Sequence, residues 1–398
     1  MKTTKLYRQL VHTVSQALGY SLALGLVLIS PTARAQATKP QAVRSAQQAD
    51  VPFKGLEHLF TEPRHYITTF AAQSPTIDGH LNEEVWQRAV WTEMFTDIEG
   101  SKKPEPTYPT RVKMTWDDEY LYIAAELKEP HVWANLTNHD EVVYHDNDFE
   151  VFLDPDNDTH QYFEVEVNAR NTVFDLFLPK PYRNGGGALI AWDLHGLRSA
   201  VQVQGTLNDP SDTDQGWTVE MAIPFRSVSI GNHTLKPEDG MLWRINFSRV
   251  QWDTEVVDGR YVKRRNAAGK PLPEHNWVWT EQGVINMHYP ERWGYLYFSR
   301  QQDASAPVAF ALPYAEKQKR YLWLAYYRQK AYFAKHGQYS TSLKELGIPD
   351  ASLALDGQPN ALKLEAGKLQ FTVAIQGPDG RVWGINQNGF VHTLKRLP

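Results

Sequence analysis

Tyr144 to Asp175 reads YHDNDFEVFLDPDNDTHQYFEVEVNARNTVFD. Two runs that alternate apolar and polar residues flank Asp154-Pro155-Asp156-Asn157-Asp158, a pattern that predicts a β-hairpin with an acidic tip. Phe149, Val151 and Leu153 form one apolar row, and Phe163, Val165 and Val167 form another. If both rows enter one core, Glu150 and Phe152 share the opposite face with Glu164 and Glu166. A slip of one residue would send these carboxylates into the core, so the register is tightly specified. Carboxylates gathered on one sheet face repel each other, and cations, arginines or a polar ligand could each offset that repulsion.

The same period-two alternation recurs on either side of the hairpin. Val112, Met114 and Trp116 alternate with Arg111, Lys113 and Thr115, and after the Asp117-Asp118-Glu119 turn Leu121, Ile123, Ala125 and Leu127 form the next inward row. A first strand is expected near Tyr66, and later ones at Thr172 to Leu178, Ser199 to Gly205, Trp217 to Ile223, Leu242 to Gln251 and Trp293 to Ser299. Only Leu81 to Ala89 reads as a short helix in this part, with Asn82 as its N-cap and Trp86 and Ala89 facing inward. Many short strands, frequent turns and little helix predict a mainly β fold, an antiparallel β-sandwich over residues 66–303.

The two ends of the chain read differently. Lys2, Lys5 and Arg8, then the apolar run Leu18 to Ile29, then Ala33-Arg34-Ala35 form a secretory signal peptide, residues 1–35. That predicts a periplasmic or secreted protein cleaved near Ala35, with no membrane span afterwards. There is no cysteine, so neither a disulfide, a thiolate metal site nor a lipoprotein anchor is available. Residues 36–65 are polar and read as a leader or linker. Pro313 to His336 repeats Tyr321, Leu324, Tyr327, Ala331 and Ala334 at helical spacing, a long amphipathic helix that Gly337 stops. Short strands follow, with a turn at Gly377-Pro378-Asp379-Gly380, so residues 304–398 are expected to form a small α+β appendage packing on the sandwich.

Charge supports the division. Residues 36–312 carry 25 basic and 40 acidic residues, whereas residues 313–398 carry 12 basic and 6 acidic ones. The strongly acidic larger part would repel phosphates, which argues against nucleic acid as a partner. Aromatic residues reach 12%, with 13 Trp and 19 Tyr, enough to serve a core and also stacking surfaces for sugars.

No G-x-S-x-G, H-E-x-x-H or P-loop is present. His139 and His145 flank the acidic segment at a spacing that matches no standard metal site and read as surface histidines. Asp154, Asp156 and Asp158 alternate oxygen ligands in a way that suits Ca²⁺, or they are simply turn formers. Glu150, Glu164 and Glu166 could act as a glycosidase pair, could hydrogen-bond a hydroxyl-rich ligand, or could be a charged solvent face.

Several motifs in order along residues 66–300 resemble family 9 carbohydrate-binding modules, in the branch of stand-alone secreted bacterial proteins. They are Ile77-Asp78-Gly79 with Trp86, Trp116 to Tyr122, Asp148 to Asp154, Gly216-Trp217 through Ile223-Pro224, and Pro290-Glu291-Arg292-Trp293-Gly294. The resemblance implies a β-sandwich with structural calcium that holds the end of an oligo- or polysaccharide between two aromatic rings, without catalysis. Tyr144 falls at the first ring position, six residues before Glu150. Glu166 stands where the family has an arginine, and Met287, beside Asn286, stands at the second ring position; Trp279 matches a Trp at the start of that loop. Stacking would then fall to Tyr289, Trp277 or Trp279. Relatives of this sandwich also resemble haem-binding electron-transfer domains with an axial Met, which gives Met287 beside His288 an alternative role.

Overall fold

The computed structural model describes residues 55–231, 236–302, 309–348 and 352–398. The expected signal peptide and most of the expected leader lie outside the described residues. In chain order come β1 (His65–Phe70), α1 (Glu84–Arg88), β2 (Thr96–Asp97), β3 (Thr110–Trp116), β4 (Tyr120–Lys128), β5 (Asp148–Asp154), β6 (Tyr162–Asn168) and β7 (Val173–Leu178). Then follow β8 (Arg198–Gln204), β9 (Gly216–Pro224), β10 (Leu242–Gln251), β11 (Thr254–Val257), β12 (Arg260–Lys263), β13 (His275–Val278) and β14 (Gly294–Ser299). Helix α2 (Tyr314–His336) leads β15 (Ser352–Leu355), β16 (Gln358–Ala366), β17 (Phe371–Gln376), β18 (Val382–Asn386) and β19 (Val391–Leu394).

Hydrogen bonding links twelve strands into one curled sheet in the order β7-β6-β5-β10-β14-β1-β3-β4-β9-β8, with β13 and β2 branching from β10. The inward rows of β3, β4 and β9 meet those of β5, β6 and β10 in one core, where Val112, Leu121, Ile123, Val151, Val165, Val219, Ile245 and Phe247 are wholly buried. The two halves therefore face each other as a sandwich. The antiparallel expectation needs one correction: β1 pairs parallel with both β14 and β3. Parallel neighbours require long connections, and β1 and β14, the first and last strands of the large sheet, have the whole sandwich between them. The hairpin register is the expected one, with Glu150 opposite Glu166 and Phe152 opposite Glu164.

Helix α1 is shorter than the sequence suggests. Its N-cap position is Glu83, with no side-chain cap, so Asn82 does not cap it. Trp86 and Ala89 are nevertheless buried, against Tyr122, Ala124 and Ala222 on the outer faces of β4 and β9.

A second core joins α2 to the antiparallel sheet β15-β16-β17-β18-β19. Leu322, Leu324, Ala325 and Tyr326 are buried there with Val373, Ile375 and Ile385. Ala331 and Ala334, expected inward, are exposed, because the buried stretch of α2 ends at Gln329. Gly337 caps the helix in the left-handed conformation, φ 66°, which a residue without Cβ adopts freely. Part of the supposed leader is folded: Glu57–Phe60 form a 3₁₀ turn whose Leu59 enters this second core. Val51–Pro398 form one compact unit. Glu316 of α2 accepts a hydrogen bond from the Tyr295 hydroxyl (2.6 Å), and Tyr326 donates to Asn184 Oδ1 (2.8 Å). No helix among the described residues is long and apolar enough to cross a membrane.

Candidate functional site

The outer face of the hairpin is the part of the fold that packing alone does not explain. Asp148, Glu150 and Phe152 on β5 lie across from Asn168, Glu166 and Glu164 on β6, and Ser248 on β10 flanks Glu150 on its other side. This row is not solvated. Asp148 is 0% exposed, Glu150 6%, Glu164 4% and Glu166 3%. The cover comes from Val143, Phe174, Val278 and Met287, which with Phe152 belong to one apolar cluster over this face.

Burial disfavours charge on each carboxyl. It is the main cause that holds Asp148, Glu164 and Glu166 well above the ordinary carboxylate range, with neighbouring carboxylates adding to the effect. Glu150 is pushed up to about 7, by burial first and also by Glu274, while a hydrogen bond with Ser248 holds it down. Oxygens of Asp148, Glu150 and Glu166 can lie within 4.8 Å of one another. Two ionised carboxylates at that spacing repel by roughly 3 kcal/mol even at an effective dielectric constant of about 20. Several such pairs would consume much of a typical net stability of about 5–15 kcal/mol. The face therefore carries protons, or it carries a cation.

Tyr144 borders this row. It is half-buried, its amide donates to Glu166 Oε2 (3.1 Å), and its carbonyl accepts from Trp252 Nε1 (2.8 Å). Its ring joins Trp133, Trp252 and Tyr261 in a small cluster, and the Lys263 ammonium lies 3.3 Å from the centre of the Trp252 ring.

The other ring positions do not supply a second stacking surface. Trp279 is 0% exposed, its Nε1 donates to Glu93 (3.1 Å), and its ring sits so close to Gly294 that a Cβ there would come within 2.5 Å of it. Trp279 is therefore corrected from ligand contact to core residue: odd-numbered positions on this stretch point inward, as Trp277 does opposite Arg249. Tyr289 is half-buried, with Arg183 and Arg292 at 4.1 and 4.7 Å from its ring centre. Met287 is 7% exposed and packed in the apolar cover, and Asn286 uses its side-chain oxygen to accept the His288 amide (2.8 Å). His288 lies 3.0 Å from the Tyr162 hydroxyl. Packing and local hydrogen bonds thus account for Met287 and His288.

The acidic tip has a different environment. Asp154 Oδ1 accepts the Asn157 amide (3.1 Å), Asp154 Oδ2 accepts the Thr159 amide (2.9 Å), and Asp158 Oδ1 accepts the His160 amide (2.7 Å). Asp154, Asp156 and Asp158 still bring oxygens within 4.8 Å of one another, and burial, the main cause, raises all three, with Lys319 of α2 offsetting part of the effect at Asp156 and Asp158. These contacts fit turn formers with a built-in counter-ion.

The sequence reading missed Asp148 and Ser248 as members of the outer row, although the period-two pattern of β5 places Asp148 beside Glu150. It also missed a group at the sheet edge: His139, Asp140, Asp175 and Asp193. His139 Nε2 is 3.4 Å from the buried Asp175 carboxylate, a meeting of four positions spread over 55 residues that no local spacing announces.

Across residues 77–270 the chain matches the family model described as carbohydrate family 9 binding domain-like. The sandwich is family 9 carbohydrate-binding module-like. It is similar to a segment of exoglucanase XynX of Acetivibrio thermocellus, 27% identical over 169 residues, 42% of this chain and 13% of that protein. A comparable segment of endo-1,4-beta-xylanase A of Thermoanaerobacterium saccharolyticum is 28% identical over 169 residues, 42% of this chain and 12% of that enzyme. The chain thus spans about an eighth of the length of these curated relatives. Among solved structures, a family 9 module from Caldicellulosiruptor kristjanssonii in complex with cellotriose matches at 16% identity and TM-score 0.39, covering 63% of this chain and 100% of that one. A putative carbohydrate-binding protein from Bacteroides uniformis matches at 16% identity and TM-score 0.43, covering 60% of this chain and 100% of that one. The family 9-like match includes Tyr144, Glu150, Glu164 and Glu166, while Trp279, Asn286 and Met287 lie beyond its end.

Proposed function

We propose that this protein binds an oligo- or polysaccharide without cleaving it, in the periplasm or outside the cell after loss of the signal peptide, as part of polysaccharide use. The observation that carries this reading is the family 9 match across residues 77–270, which contains Tyr144 and the carboxylate face. A partly exposed ring beside oxygen acceptors suits a sugar, whose C–H face packs on an aromatic plane while its hydroxyls find polar partners. The curated relatives are named as an exoglucanase and a xylanase, so β-linked glucose and xylose oligomers are the first ligands to try.

The electrostatics favour binding over hydrolysis. A glycosidase needs one carboxyl held ionised while its partner is held protonated. Here burial pushes Asp148, Glu150, Glu164 and Glu166 all upward, so none is held firmly ionised in the way a nucleophile or base must be.

Calorimetric titration of the mature chain with cello- and xylo-oligosaccharides, backed by a broad glycan array in calcium-containing buffer, tests the proposal. Saturable binding that Tyr144→Ala weakens about tenfold is expected, the loss of roughly 1.4 kcal/mol of aromatic contact. Failure to bind any glycan, or binding indifferent to Tyr144→Ala, would overturn it.

A further inference from the structure

We propose that the cavity between the sandwich and helix α2 is a second ligand site, one that takes a small sugar acid by its carboxylate. The cavity measures about 370 Å³, towards the small end of the range of about 300–1,000 Å³ usual for small-molecule sites. Its walls come from the 3₁₀ turn at Glu57–Phe60 and the chain leading into β1, from the segment between β13 and β14, and from the first turns of α2. Tyr144, Glu150, Glu164 and Glu166 do not line it, so it is separate from the site proposed above.

Charge points to an anion. Arg64, Arg244, Arg292, Lys319 and Arg320 line the cavity against four glutamates, Glu62, Glu281, Glu291 and Glu316. The pairing among them is uneven. Glu316 is shared by Arg244 at 3.4 Å and Lys319 at 2.7 Å, while Glu291 is held by Arg183 at 2.8 Å. Arg320 reaches only the exposed Glu62, at 3.8 Å. Among the described residues Arg64 and Arg292 make no salt bridge, and a guanidinium does not shed its charge.

Both of these guanidiniums are held in place with donors to spare. Arg64 Nη1 donates to the Trp279 carbonyl and Arg292 Nη1 to the Gln282 carbonyl, so the two are anchored on one loop. Arg292 Nη2 also reaches the Tyr327 hydroxyl at 3.4 Å. Arg64 Nε and Nη2 have no partner among the described residues, and Arg292 Nε is buried without one. Thr280 Oγ1 and His58 Nε2, in residues of the same walls, are likewise buried and unpartnered. Burial first, and then Arg292, lower the His58 imidazole to about 4, so at neutral pH it adds no charge and keeps one ring N–H. Native structures seldom leave buried polar groups without partners, and here four side chains that border one cavity have donors unused.

A carboxylate with hydroxyls beside it matches this set. Its two oxygens accept paired N–H groups from a guanidinium, and its single charge suits the small cationic excess. Glu62 and Glu281 are exposed at the rim, where they would repel the second charge of a phosphate but accept hydrogen bonds from hydroxyls. One carboxylate and several hydroxyls describe a sugar acid.

Calorimetric titration of the mature chain with glucuronate, and with glucose and inorganic phosphate for comparison, tests the proposal. Glucuronate should bind saturably at one site, about tenfold or more tighter than either comparison probe. Arg64→Gln and Arg292→Gln should each weaken it about tenfold, and Tyr144→Ala should leave it unchanged. Thr280→Val separates binding from folding, because it removes a hydroxyl that no protein group uses: its urea midpoint should match wild type while glucuronate binds about fivefold more weakly. Absence of saturable glucuronate binding, or binding indifferent to Arg64→Gln and Thr280→Val, would overturn the proposal. So would glucose or phosphate binding as tightly as glucuronate, or loss of glucuronate binding in Tyr144→Ala. Neutral oligosaccharides that bind through Tyr144 report on the other site, so either reading can fail without the other.

Discussion

Glu220 is the residue whose loss the fold should feel most directly. Its side chain is 0% exposed on the outer face of β9. Oε1 accepts the Trp86 indole N–H at 2.6 Å, and Oε2 accepts the backbone amides of Asp78 and Gly79 at 3.0 and 2.7 Å. One carboxylate thus ties the Ile77-Asp78-Gly79 turn and helix α1 to the sheet. In Glu220→Ala the Asp78 amide lies in an exposed residue and can turn to water, but the Trp86 and Gly79 groups are buried and are left without acceptors. Each orphaned buried donor costs about 1–3 kcal/mol, so a loss near 4 kcal/mol is expected, before any term for the vacated volume. Glu220→Gln keeps the shape but turns an N–H₂ toward donors, and should cost about 2 kcal/mol. Urea unfolding at neutral pH, followed by tryptophan fluorescence, reads these losses as midpoint shifts at constant slope. A loss under about 1 kcal/mol for Glu220→Ala, or a neutral Glu220→Gln, would refute the clamp.

Other perturbations reach different parts of the fold. Gly294→Ala should destabilise by about 1–3 kcal/mol through overpacking in the same urea assay, since its Cβ would stand 2.5 Å from the Trp279 ring and 3.0 Å from the Arg64 carbonyl. Glu291→Ala should cost about 3 kcal/mol and open the α2 region to limited proteolysis, because it removes the buried carboxylate paired at 2.8 Å with the half-buried Arg183. Burial first, and then Arg183, depress the His288 imidazole to about 3, so it is neutral in the folded state and protonates on unfolding below about pH 6.5. Its stabilisation is therefore present above that pH and is lost as pH falls; His288→Asn should flatten the drop in urea midpoint between about pH 6.5 and 4 by roughly 3 kcal/mol.

The strands and the hairpin register were legible because period-two alternation over Phe149 to Val167 admits one solution with a dry inner row. Boundaries of β10 coincide with the expected Leu242 to Gln251 for the same reason. What local sequence could not carry was the third dimension above each face. Trp279 and Met287 were expected at a ligand because of their place in an ordered set of motifs, yet the inward pleat buries the first, and the apolar cover with Val143 and Phe152 absorbs the second. Helix α2 misled in a similar way. Its apolar spacing suggested a face running to Ala334, whereas polar Glu316, Gln318 and Gln329 are buried by specific partners, as Gln318 is by Asn360 at 2.7 Å. Hydrogen-bonded polar burial leaves no trace in a hydrophobic pattern.

The hairpin's two acidic groups now separate on physical grounds. At the tip, the chain's own later segments complete the structure: Thr159 donates to the Gly389 carbonyl at 2.7 Å, the Val391 amide donates to Asp158 at 3.2 Å, and Lys319 donates to the Asn157 carbonyl at 3.4 Å. The turn's carbonyls are therefore met by α2 and β19, while its carboxylates accept the hairpin's own amides. On the outer face one strand-length away, the neighbours of Glu150 and Glu166 are further carboxylates, the Ser248 hydroxyl, the Tyr144 amide and apolar cover. Like charges in a water-poor setting persist only if something neutralises them. Protons can do so without metal, because a protonated carboxyl donates a hydrogen bond that a neighbouring carboxyl oxygen can accept. The tip thus fastens the C-terminal region to the sandwich, whereas the outer face is held towards its protonated form by burial, with Glu150, pushed up to about 7, the first to ionise.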